Sequence, residues 1–331
     1  MSRQGIVVIG SHVQGLFMRV SRFPGPDETV LGWDYKEALD GGKGSHQAIA
    51  CARLGLPTYF VGRVGEDRLG KVGADWMTEA GVDLTYLVHS KHTATGCGFV
   101  MINPDGVPAI TTAMGANAEL CATDIDRARP ILAQARLALI TFEIPVTTAL
   151  YAAQLAKQLG AFTVLTPGPA EYVAPNSLSE VDLLLPNGGE ACTLLGKPSV
   201  GQDPAHLASE LRAQLGPKRV VITLGEKGVL VSEGACARAV PALEVDVVDT
   251  PGAGDAFAAG LAFGLYYGAS IVDAASFGCL TAARAVTIRE SIPGFGTLAE
   301  IAEFATTNGF IVPSCLQTAV GLSPHPAADP D

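Results

Sequence analysis

The sequence of 331 residues lacks any long apolar run. A helix that crosses a bilayer needs about 20 consecutive apolar residues, and a secretory signal needs a basic stretch followed by an apolar one. Here the first residues lead directly into the short apolar segment from Ile6 to Ile9. The sequence therefore predicts neither a membrane span nor a signal peptide, and we expect a cytoplasmic protein.

Charge and metal-binding patterns are also sparse. Charged residues make up 17% of the chain, the formal net charge is −11, and no long basic run occurs. Proteins that bind nucleic acids present clustered Lys and Arg to the phosphates, so we expect no nucleic-acid partner. The 7 cysteines form neither a Cys-x-x-Cys pair nor a Cys/His cluster at zinc spacing. They are typical of free thiols in a reducing compartment.

Two common nucleotide-binding motifs are absent as well. A dinucleotide fingerprint after the first strand requires a second glycine, but the chain reads Gly10-Ser11-His12-Val13-Gln14-Gly15. A phosphate-binding P-loop requires glycine five residues before Gly42-Lys43, and Glu37 stands there. A dinucleotide-dependent oxidoreductase and a P-loop protein are both disfavoured.

What the chain does contain is a repeated alternation of apolar strands and helices. The predicted strands include 6–9, 137–142, 162–165, 183–185 and 220–224, and the predicted helices include 45–54, 147–160 and 204–215. This alternation predicts a parallel sheet covered by helices on both faces. Two further segments, about 12–38 and 95–112, have the composition of exposed strands, with Thr29–Leu31 and Trp33–Tyr35 as strands in the first. They predict a second, smaller β-sheet.

The stretch from Val247 to Gly260 is the most distinctive part of the sequence. Val245 to Val248 favour a strand, and the apolar run from Ala256 to Leu265 is typical of a buried helix. Between them, Gly252 and Gly254 allow the backbone to approach a ligand closely. The first amides of a helix are unpaired and carry partial positive charge, so this turn predicts a site for an anion such as a phosphate.

Asp255 stands within this turn and allows two interpretations. It can be a helix cap, a role that Ser or Asn would fill equally well. Beside an anion site, a carboxylate can also take a proton from a hydroxyl that attacks a bound phosphoryl group. Asp255 is therefore a candidate general base, with a structural cap as the alternative.

Other polar residues follow apolar strands, at the point where each predicted strand ends. They are Glu143, Asn187, Glu190, Thr223, Gly225 and Asp249. In open parallel sheets the carboxyl ends of the strands meet at one edge, and ligands bind there. Any one of these residues could simply belong to a polar loop, but together they predict a ligand site at this edge.

Two segments carry a resemblance to a known family. Asp249 to Phe257, DTPGAGDAF, closely resembles the C-terminal signature of the PfkB, or ribokinase-like, carbohydrate kinases, and Gly41 to Ala48, GGKGSHQA, resembles the N-terminal signature. The signatures lie about 200 residues apart in the family's order, and the resemblance runs from roughly residue 5 to 305. The pattern is most similar to the ribokinases.

The resemblance implies a ribokinase-like three-layer α/β sandwich with a mostly parallel central sheet. Residues 1–315 would form the kinase domain, and segments 12–38 and 95–112 would form a small β-sheet lid over the sugar. The remaining residues, 316–331, are expected to be a disordered tail, because their end is rich in Pro, Ala and Asp. Homodimers that form through lid sheets are common in such families, so a homodimer through the lid is an open expectation.

The resemblance also implies an activity, the ATP-dependent transfer of a phosphoryl group to a primary hydroxyl of a small sugar. Asp255 would be the general base, and the amides of Gly252, Ala253 and Gly254 would stabilise the transferred charge. The residues expected to bind the sugar are Gly42, Lys43, His46 and Glu143, and those expected to bind ATP are Asn187, Glu190, Thr223, Gly225 and Gly228. Asn187 and Glu190 would hold Mg²⁺, mostly through water. A K⁺ site is an open expectation at Asp249, Pro251, Ala285, Ile288 and Glu290.

The chain departs from the ribokinase pattern at several positions. Val13 and Gly15 stand where ribokinases carry Asn and Asp, and His46 replaces the asparagine of the N-terminal signature. His12, Gln14 and His46 could supply new hydrogen-bond donors to the substrate. Near the expected K⁺ site, Glu290 replaces a glycine and Gly294 a serine. We therefore expect that ribose is not the preferred substrate. The alternatives are a nucleoside or sugar-acid kinase of the same family, or a sugar-binding regulator without catalysis.

Overall fold

The computed structural model describes residues 3–38, 41–199 and 201–320. Within these ranges, thirteen strands form two sheets. In chain order they are β1 (Ile6–Ile9), β2 (Val13–Val20), β3 (Gly32–Glu37), β4 (Thr58–Gly65), β5 (Asp83–Ser90), β6 (Gly96–Ile102), β7 (Pro108–Ala113), β8 (Leu137–Thr141), β9 (Phe162–Thr166), β10 (Leu183–Leu184), β11 (Arg219–Thr223), β12 (Val229–Glu233) and β13 (Cys236–Val240).

Twelve α-helices occur in the same ranges. They are α1 (Lys43–Arg53), α2 (Arg68–Glu79), α3 (Ala122–Arg127), α4 (Arg129–Leu132), α5 (Val146–Gln158), α6 (Gly188–Leu194), α7 (Pro204–Leu215), α8 (Ala253–Tyr266), α9 (Ile271–Val286), α10 (Ser291–Gly294), α11 (Leu298–Asn308) and α12 (Ser314–Val320). The predicted helix at 204–215 is confirmed without change. In the described part of the chain, no helix has both the length and the apolar character that a membrane crossing requires.

The larger sheet has nine strands in the order β13-β12-β11-β10-β9-β8-β1-β4-β5. Its strands are parallel from β5 to β11, whereas β12 and β13 are antiparallel. The central strands β1 and β8 are buried along their whole length, as expected of parallel strands covered on both faces. The predicted parallel sheet is therefore confirmed.

Two apolar cores lie on opposite faces of this sheet. Ile6 and Val8 of β1 join the first core with helices α1, α8 and α9, whereas Val7 and Ile9 join the second with α5 and α7. This division follows from the alternation of side chains along a strand. Helix, sheet and helix are thus the three layers of the predicted sandwich, and that prediction is confirmed.

The smaller sheet has the strand order β3-β2-β6-β7 and comes from the two segments in which it was predicted. Lys36 and Phe17 are paired on one of its faces. The Lys36 ammonium reaches Glu290 of the main body at 2.8 Å, so this face covers the main body. The predicted strand at 29–31 is wrong, because β3 begins only at Gly32 and Leu31 is 86% exposed.

Two other predictions from local sequence are corrected. Val245 to Val248 do not form a strand, although β-branched residues favour one. Val247 and Val248 are more than half exposed, and the amide of Val248 donates to the carbonyl of Val286 rather than to a strand. The predicted tail also begins too early, since α12 continues to Val320 and buries Leu316. The rest of that tail, 321–331, lies outside the described residues.

Candidate active site

Most of the predicted site residues lie at the carboxyl edge of the larger sheet, on the side where the smaller sheet contacts the main body. Three helices begin at this edge, and their first residues carry most of the candidate side chains: α1 carries Lys43 and His46, α6 carries Glu190, and α8 carries Asp255. α6 follows the parallel strand β10, and such a helix points its N-terminus to the carboxyl edge. α1 and α8 reach the same edge after β3 and β13, which lie outside the parallel part of the large sheet.

The start of α8 is shaped by two glycines with different roles. Gly252 has a φ of 79°, a conformation that favours glycine, and a Cβ there would lie 2.9 Å from the side chain of Ser291. A Cβ on Gly254 would have no neighbour within 4 Å, so the surface at this residue is open. Because the first amides of a helix lack intrahelical acceptors, the turn from Gly252 to Asp255 has the features of an anion site, as the sequence predicted.

Asp255 is buried in the first turn of α8 with a donor on each carboxylate oxygen. His46 Nδ1 lies 3.1 Å from Oδ2, and Gln47 Nε2 donates to Oδ1 at 3.0 Å. Burial alone would raise the pKa of Asp255, but the hydrogen bond from His46 and the nearby charge of Lys43 outweigh it. The pKa lies below its ordinary value, so the carboxylate is ionised and able to accept a proton near neutral pH.

Lys43 extends from the first turn of α1 into a group of carboxylates. Burial lowers the pKa of Lys43, whereas the negative charges of Asp255, Glu190 and Glu143 raise it by more, so the net pKa lies above its ordinary value. A Cβ on Gly168 would lie 2.9 Å from Lys43 Nζ and 2.4 Å from Glu190 Oε1. The backbone at Gly168 therefore passes beside both charged groups.

Glu143 fixes the entry to α1. One of its carboxylate oxygens accepts a hydrogen bond from the backbone amide of Lys43 at 2.8 Å and another from the Ser11 hydroxyl. A Cβ on Gly42 would lie 2.5 Å from Ser11 Oγ and 2.9 Å from this Glu143 oxygen. The glycine of the N-terminal signature is thus required by close packing, and Glu143 and Gly42 lie together as predicted.

Two residues predicted to bind the substrate are turned away from the cleft. The His12 ring is 1% exposed and packs on α2, since a Cβ on Gly73 would lie 2.1 Å from His12 Nε2. Gln14 is fully buried, and its Nε2 donates to the carbonyls of Gly15 and Ala38. Those two predictions are corrected for this conformation, because the side chains of residues 12 and 14 serve the packing of the smaller sheet and α2.

The expected nucleotide side is formed by α6 and the turn after β11. Asn187 caps α6: its side chain accepts from the Glu190 amide, and Glu190 accepts from the Asn187 amide, each at 2.8 Å. This reciprocal cap leaves Asn187 exposed and Glu190 partly exposed. Their amide and carboxylate oxygens are donors that Mg²⁺ prefers, and Mg²⁺ retains several waters when few protein oxygens are offered. The donor set therefore fits the expected ion.

The turn after β11 has the shape expected of a loop that approaches a ligand. Thr223 ends the strand and pairs with Asn187 in an isolated parallel bridge. Gly225 has a φ of 62° and open space around it, whereas a Cβ on Gly228 would lie 2.1 Å from the carbonyl oxygen of Val240. Gly228 is thus required by packing, and Gly225 leaves the loop accessible.

The loop expected to hold K⁺ lies beside the start of α8. The carboxylate of Asp249 accepts from the Glu290 amide at 3.0 Å, and Ile288 donates to the Ala285 carbonyl at 3.2 Å. A Cβ on Gly294 would lie 3.0 Å from that carbonyl, so a side chain at this position would lie against the loop. Pro251 precedes the turn of α8 in the chain. The oxygen atoms of this loop are of the kind that binds K⁺, but Gly294 lacks the hydroxyl oxygen that a serine would add as a ligand.

Sequence reasoning missed four residues at the site: Ser11, Gln47, Thr166 and Gly168. One signal could have revealed Gln47, because residues at i, i+3 and i+4 share a helix face and Lys43, His46 and Gln47 follow this spacing. The other three depend on contacts between distant elements.

The carboxyl edge of the parallel sheet thus brings together a buried carboxylate at a glycine-led helix start, a lysine and an Asn/Glu pair. A model of the pfkB family carbohydrate kinase matches residues 3–295. The chain therefore belongs to the pfkB family of carbohydrate kinases, and it is an ATP-dependent sugar kinase by this membership.

Individual relatives cover most of the chain. A ribokinase of Haemophilus influenzae is 33% identical over 302 residues, which span 91% of this chain and 98% of the relative. A deoxyribokinase of Salmonella typhi is 29% identical over 304 residues, or 92% of this chain and 99% of the relative. The structure of Arabidopsis thaliana ribokinase complexed with ribose and ATP superposes with a TM-score of 0.83 at 29% identity, covering 92% of this chain and 99% of that one.

Proposed function

We propose that this chain transfers the γ-phosphoryl group of ATP to a primary hydroxyl of a small sugar, with Asp255 as the general base. The observation that carries the proposal is a buried carboxylate, with its pKa held low, in the first turn of a helix whose start is led by Gly252. A base in that position faces the anion site where a transferred phosphoryl group would sit.

Different residues of the site would have different roles in this reaction. The acceptor hydroxyl gives its proton to Asp255 as its oxygen attacks the γ-phosphorus, and the bond to the β-phosphate oxygen breaks to leave ADP. The amides from Gly252 to Gly254 stabilise the charge on the transferred group. Lys43, charged and close to Asp255 and Glu190, adds positive charge to the same region or binds the acceptor. Mg²⁺, bound through Asn187 and Glu190, would supply neutralisation of phosphate charge.

We propose that D-ribose is not the preferred acceptor. Val13, 7% exposed, is an apolar side chain. The His12 ring beside it in sequence packs on α2, and the Gln14 amide donates to the Ala38 carbonyl. A sugar hydroxyl left unpaired on burial costs about 1–3 kcal/mol. An acceptor with fewer hydroxyls on this side avoids that cost, and the similarity to a deoxyribokinase supports this class.

A panel of acceptors tests the activity and its specificity together. ADP production from MgATP is measured with D-ribose, 2-deoxy-D-ribose, hexoses, sugar acids and nucleosides. We expect ATP-dependent turnover with at least one of them and a lower kcat/KM for D-ribose than for the best acceptor. If D-ribose is best, the specificity proposal is wrong and the kinase assignment stands. If one of these compounds binds but none is phosphorylated, the protein is a sugar-binding regulator without catalysis.

We propose that K⁺ stimulates kcat less in this chain than it would if residue 294 were a serine. Asp249 and the carbonyls around Ala285 still offer oxygens, but Gly294 has no hydroxyl. The variant Gly294→Ser restores that donor and should increase the stimulation of kcat by K⁺ at constant ionic strength. An unchanged response would contradict this account of the loop.

We propose that the chain forms a homodimer through the smaller sheet. Tyr35 and Phe99 lie on the sheet face opposite Lys36, and they are 59% and 41% exposed. Exposed aromatic residues on a sheet face are typical of protein interfaces. Light scattering after size exclusion should give twice the 34.1 kDa chain mass, and Tyr35→Glu combined with Phe99→Glu should give a monomer. A monomeric wild-type protein would refute this assembly.

A further inference from the structure

The carboxylate of Asp255 is held at both ends by consecutive residues of one helix. His46 Nδ1 lies 3.1 Å from Oδ2, and Gln47 Nε2 donates to Oδ1 at 3.0 Å. Asp255 is 7% exposed, His46 5% and Gln47 1%. The contacts join α1 to α8, which lie about 200 residues apart in the chain and pack directly on each other.

A second contact of His46 bears on which of its nitrogens carries the hydrogen. The backbone N–H of Gly41 donates to His46 Nε2 at 2.7 Å, so Nε2 presents its lone pair there. In the neutral imidazole the hydrogen is then on Nδ1 and is directed at Asp255 Oδ2. The Phe295 ring packs against the imidazole edge to face, with 5.3 Å between ring centroids, which restrains the plane of the ring.

Gln47 is restrained in a similar way. Its Nε2 donates to Thr166 Oγ1 at 3.1 Å as well as to Asp255, so both amide hydrogens have acceptors. The Thr166 hydroxyl in turn donates to the carbonyl of Ile140 at 3.3 Å. This side chain therefore links the carboxylate of α8 to strands β8 and β9 of the large sheet.

We propose that His46 is a positioning residue for the general base, and that its Nδ1–H, with Gln47 as second support, fixes the plane of the Asp255 carboxylate toward the acceptor hydroxyl. The inference rests on the proposed role of Asp255. A terminal sp³–sp² torsion such as that of aspartate is broad when nothing restrains it. Donors on both oxygens, delivered by one helix, confine it, and misplacement of a reacting group by about 1 Å can cost 10²-fold in rate.

The same contacts stabilise the ionised form of the base. Among the described residues, Lys43 of α1 is a charged group close to Asp255, and it is itself near Glu143 after β8 and Glu190 of α6. A donor to a carboxylate favours its ionised form. Loss of the His46 donor therefore raises the pKa of Asp255 and moves the acid limb of the kcat/KM profile to higher pH, an effect that a merely structural histidine would not have.

Three substitutions of His46 separate these effects. Asparagine places its amide nitrogen near the position of Nδ1 and retains the donor, leucine has a similar size and no donor, and glutamine places its amide near Nε2 and withdraws the donor from Asp255. Cys51→Ala, at a buried position of the same helix outside the site, is the control for lost packing. All variants are measured with MgATP and D-ribose as the probe acceptor over a range of pH.

We expect His46→Leu and His46→Gln to lower kcat by roughly 10- to 100-fold and to move the acid limb to higher pH. His46→Asn should restore most of kcat and the wild-type limb, and Cys51→Ala should leave the limb in place. If His46→Leu leaves both kcat and the acid limb of the kcat/KM profile unchanged, the positioning role is overturned. If His46→Leu does not fold, the same result for His46→Gln overturns it.

The tautomer gives a second test that does not depend on activity. Nitrogen-15 spectra of the imidazole rings, with the His46 signals assigned by their loss in His46→Asn, should show hydrogen on Nδ1 and a lone pair on Nε2. A hydrogen on Nε2 would contradict the inference directly. Absence of turnover with every acceptor in the panel would instead refute the proposed kinase function, so the two failures are distinguishable.

Discussion

Replacement of Asp255 by asparagine removes the proposed base while it keeps nearly the same shape. The native side chain is 7% exposed and accepts from His46 on one oxygen and from Gln47 on the other. Asparagine has only one oxygen, and its amide nitrogen is itself a donor. One of the two native donors must therefore face another donor in the variant.

The magnitudes of the two consequences differ. A buried polar group that loses its partner costs about 1–3 kcal/mol, so we expect a loss of that order in the free energy of unfolding. The loss of general-base catalysis should lower kcat by roughly 10²–10⁴-fold. ATP binding should persist, because Asn187, Thr223 and Gly225 belong to other elements of the cleft.

The assay measures ADP production with the best acceptor of the panel, alongside ATP binding by calorimetry and unfolding by denaturant. Cys51→Ala serves again as a control for lost packing, since Cys51 is a buried residue of α1. The expected result is a low kcat in a folded protein that still binds ATP. If Asp255→Asn retains kcat within a few-fold of wild type, Asp255 is only a helix cap and the proposed mechanism is wrong.

Three further outcomes follow from the structure. EDTA should abolish turnover, and Glu190→Gln should weaken the apparent affinity for MgATP more than that for the sugar, because Glu190 lies on the expected nucleotide side; turnover that survives EDTA would refute phosphoryl transfer from MgATP. Segments 16–38 and 95–112 should exchange amide hydrogens more slowly when the acceptor binds, if the smaller sheet closes as a lid; unchanged exchange in both segments would argue against closure. Burial raises the pKa of Asp67 and Asp182, but hydrogen bonds from Gly70 to Asp67 and from Lys157 to Asp182 outweigh this effect, so both pKa values lie below the ordinary 3.8. The stability that the two ionised carboxylates contribute is present above pH 3.8 and is lost as the pH falls through their lower folded pKa values. Asp182→Asn should therefore flatten the acid unfolding curve measured by circular dichroism.

Local sequence was sufficient where burial and backbone chemistry act within one element. The apolar runs of β1, β8 and β11 are strands because they are buried on both faces of a parallel sheet. Asn187 and Glu190 stand three residues apart, which is the spacing of a capping box, and the structure shows them as a reciprocal cap at the start of α6. Pro204 to Leu215 begins with a proline and ends before Gly216 in a left-handed conformation, which are local signals for a start and an end.

Predictions from local sequence failed where the outcome depends on a neighbouring strand or on the face of the sheet to which a side chain points. Val247 and Val248 have high β propensity but remain exposed and form no strand, because propensity acts only when a neighbouring strand and a buried face are available. His12 and Gln14 are close to the cleft in sequence but turn to α2 and to the carbonyl of Ala38. Successive side chains of a strand point to opposite faces, so nearness in sequence does not show which face the cleft is on.

Most elements of the fold, the glycine-led helix start and the place of Asp255 near that start could be predicted from the amino-acid sequence. The environment of the carboxylate could not, because it depends on the packing of the folded chain. Its two donors and its nearest cation all come from α1, about 200 residues earlier in the chain, and they reach it because α1 and α8 pack side by side on one face of the sheet. A pKa and an orientation depend on distances of a few ångströms between such groups, and those distances exist only once the chain has folded.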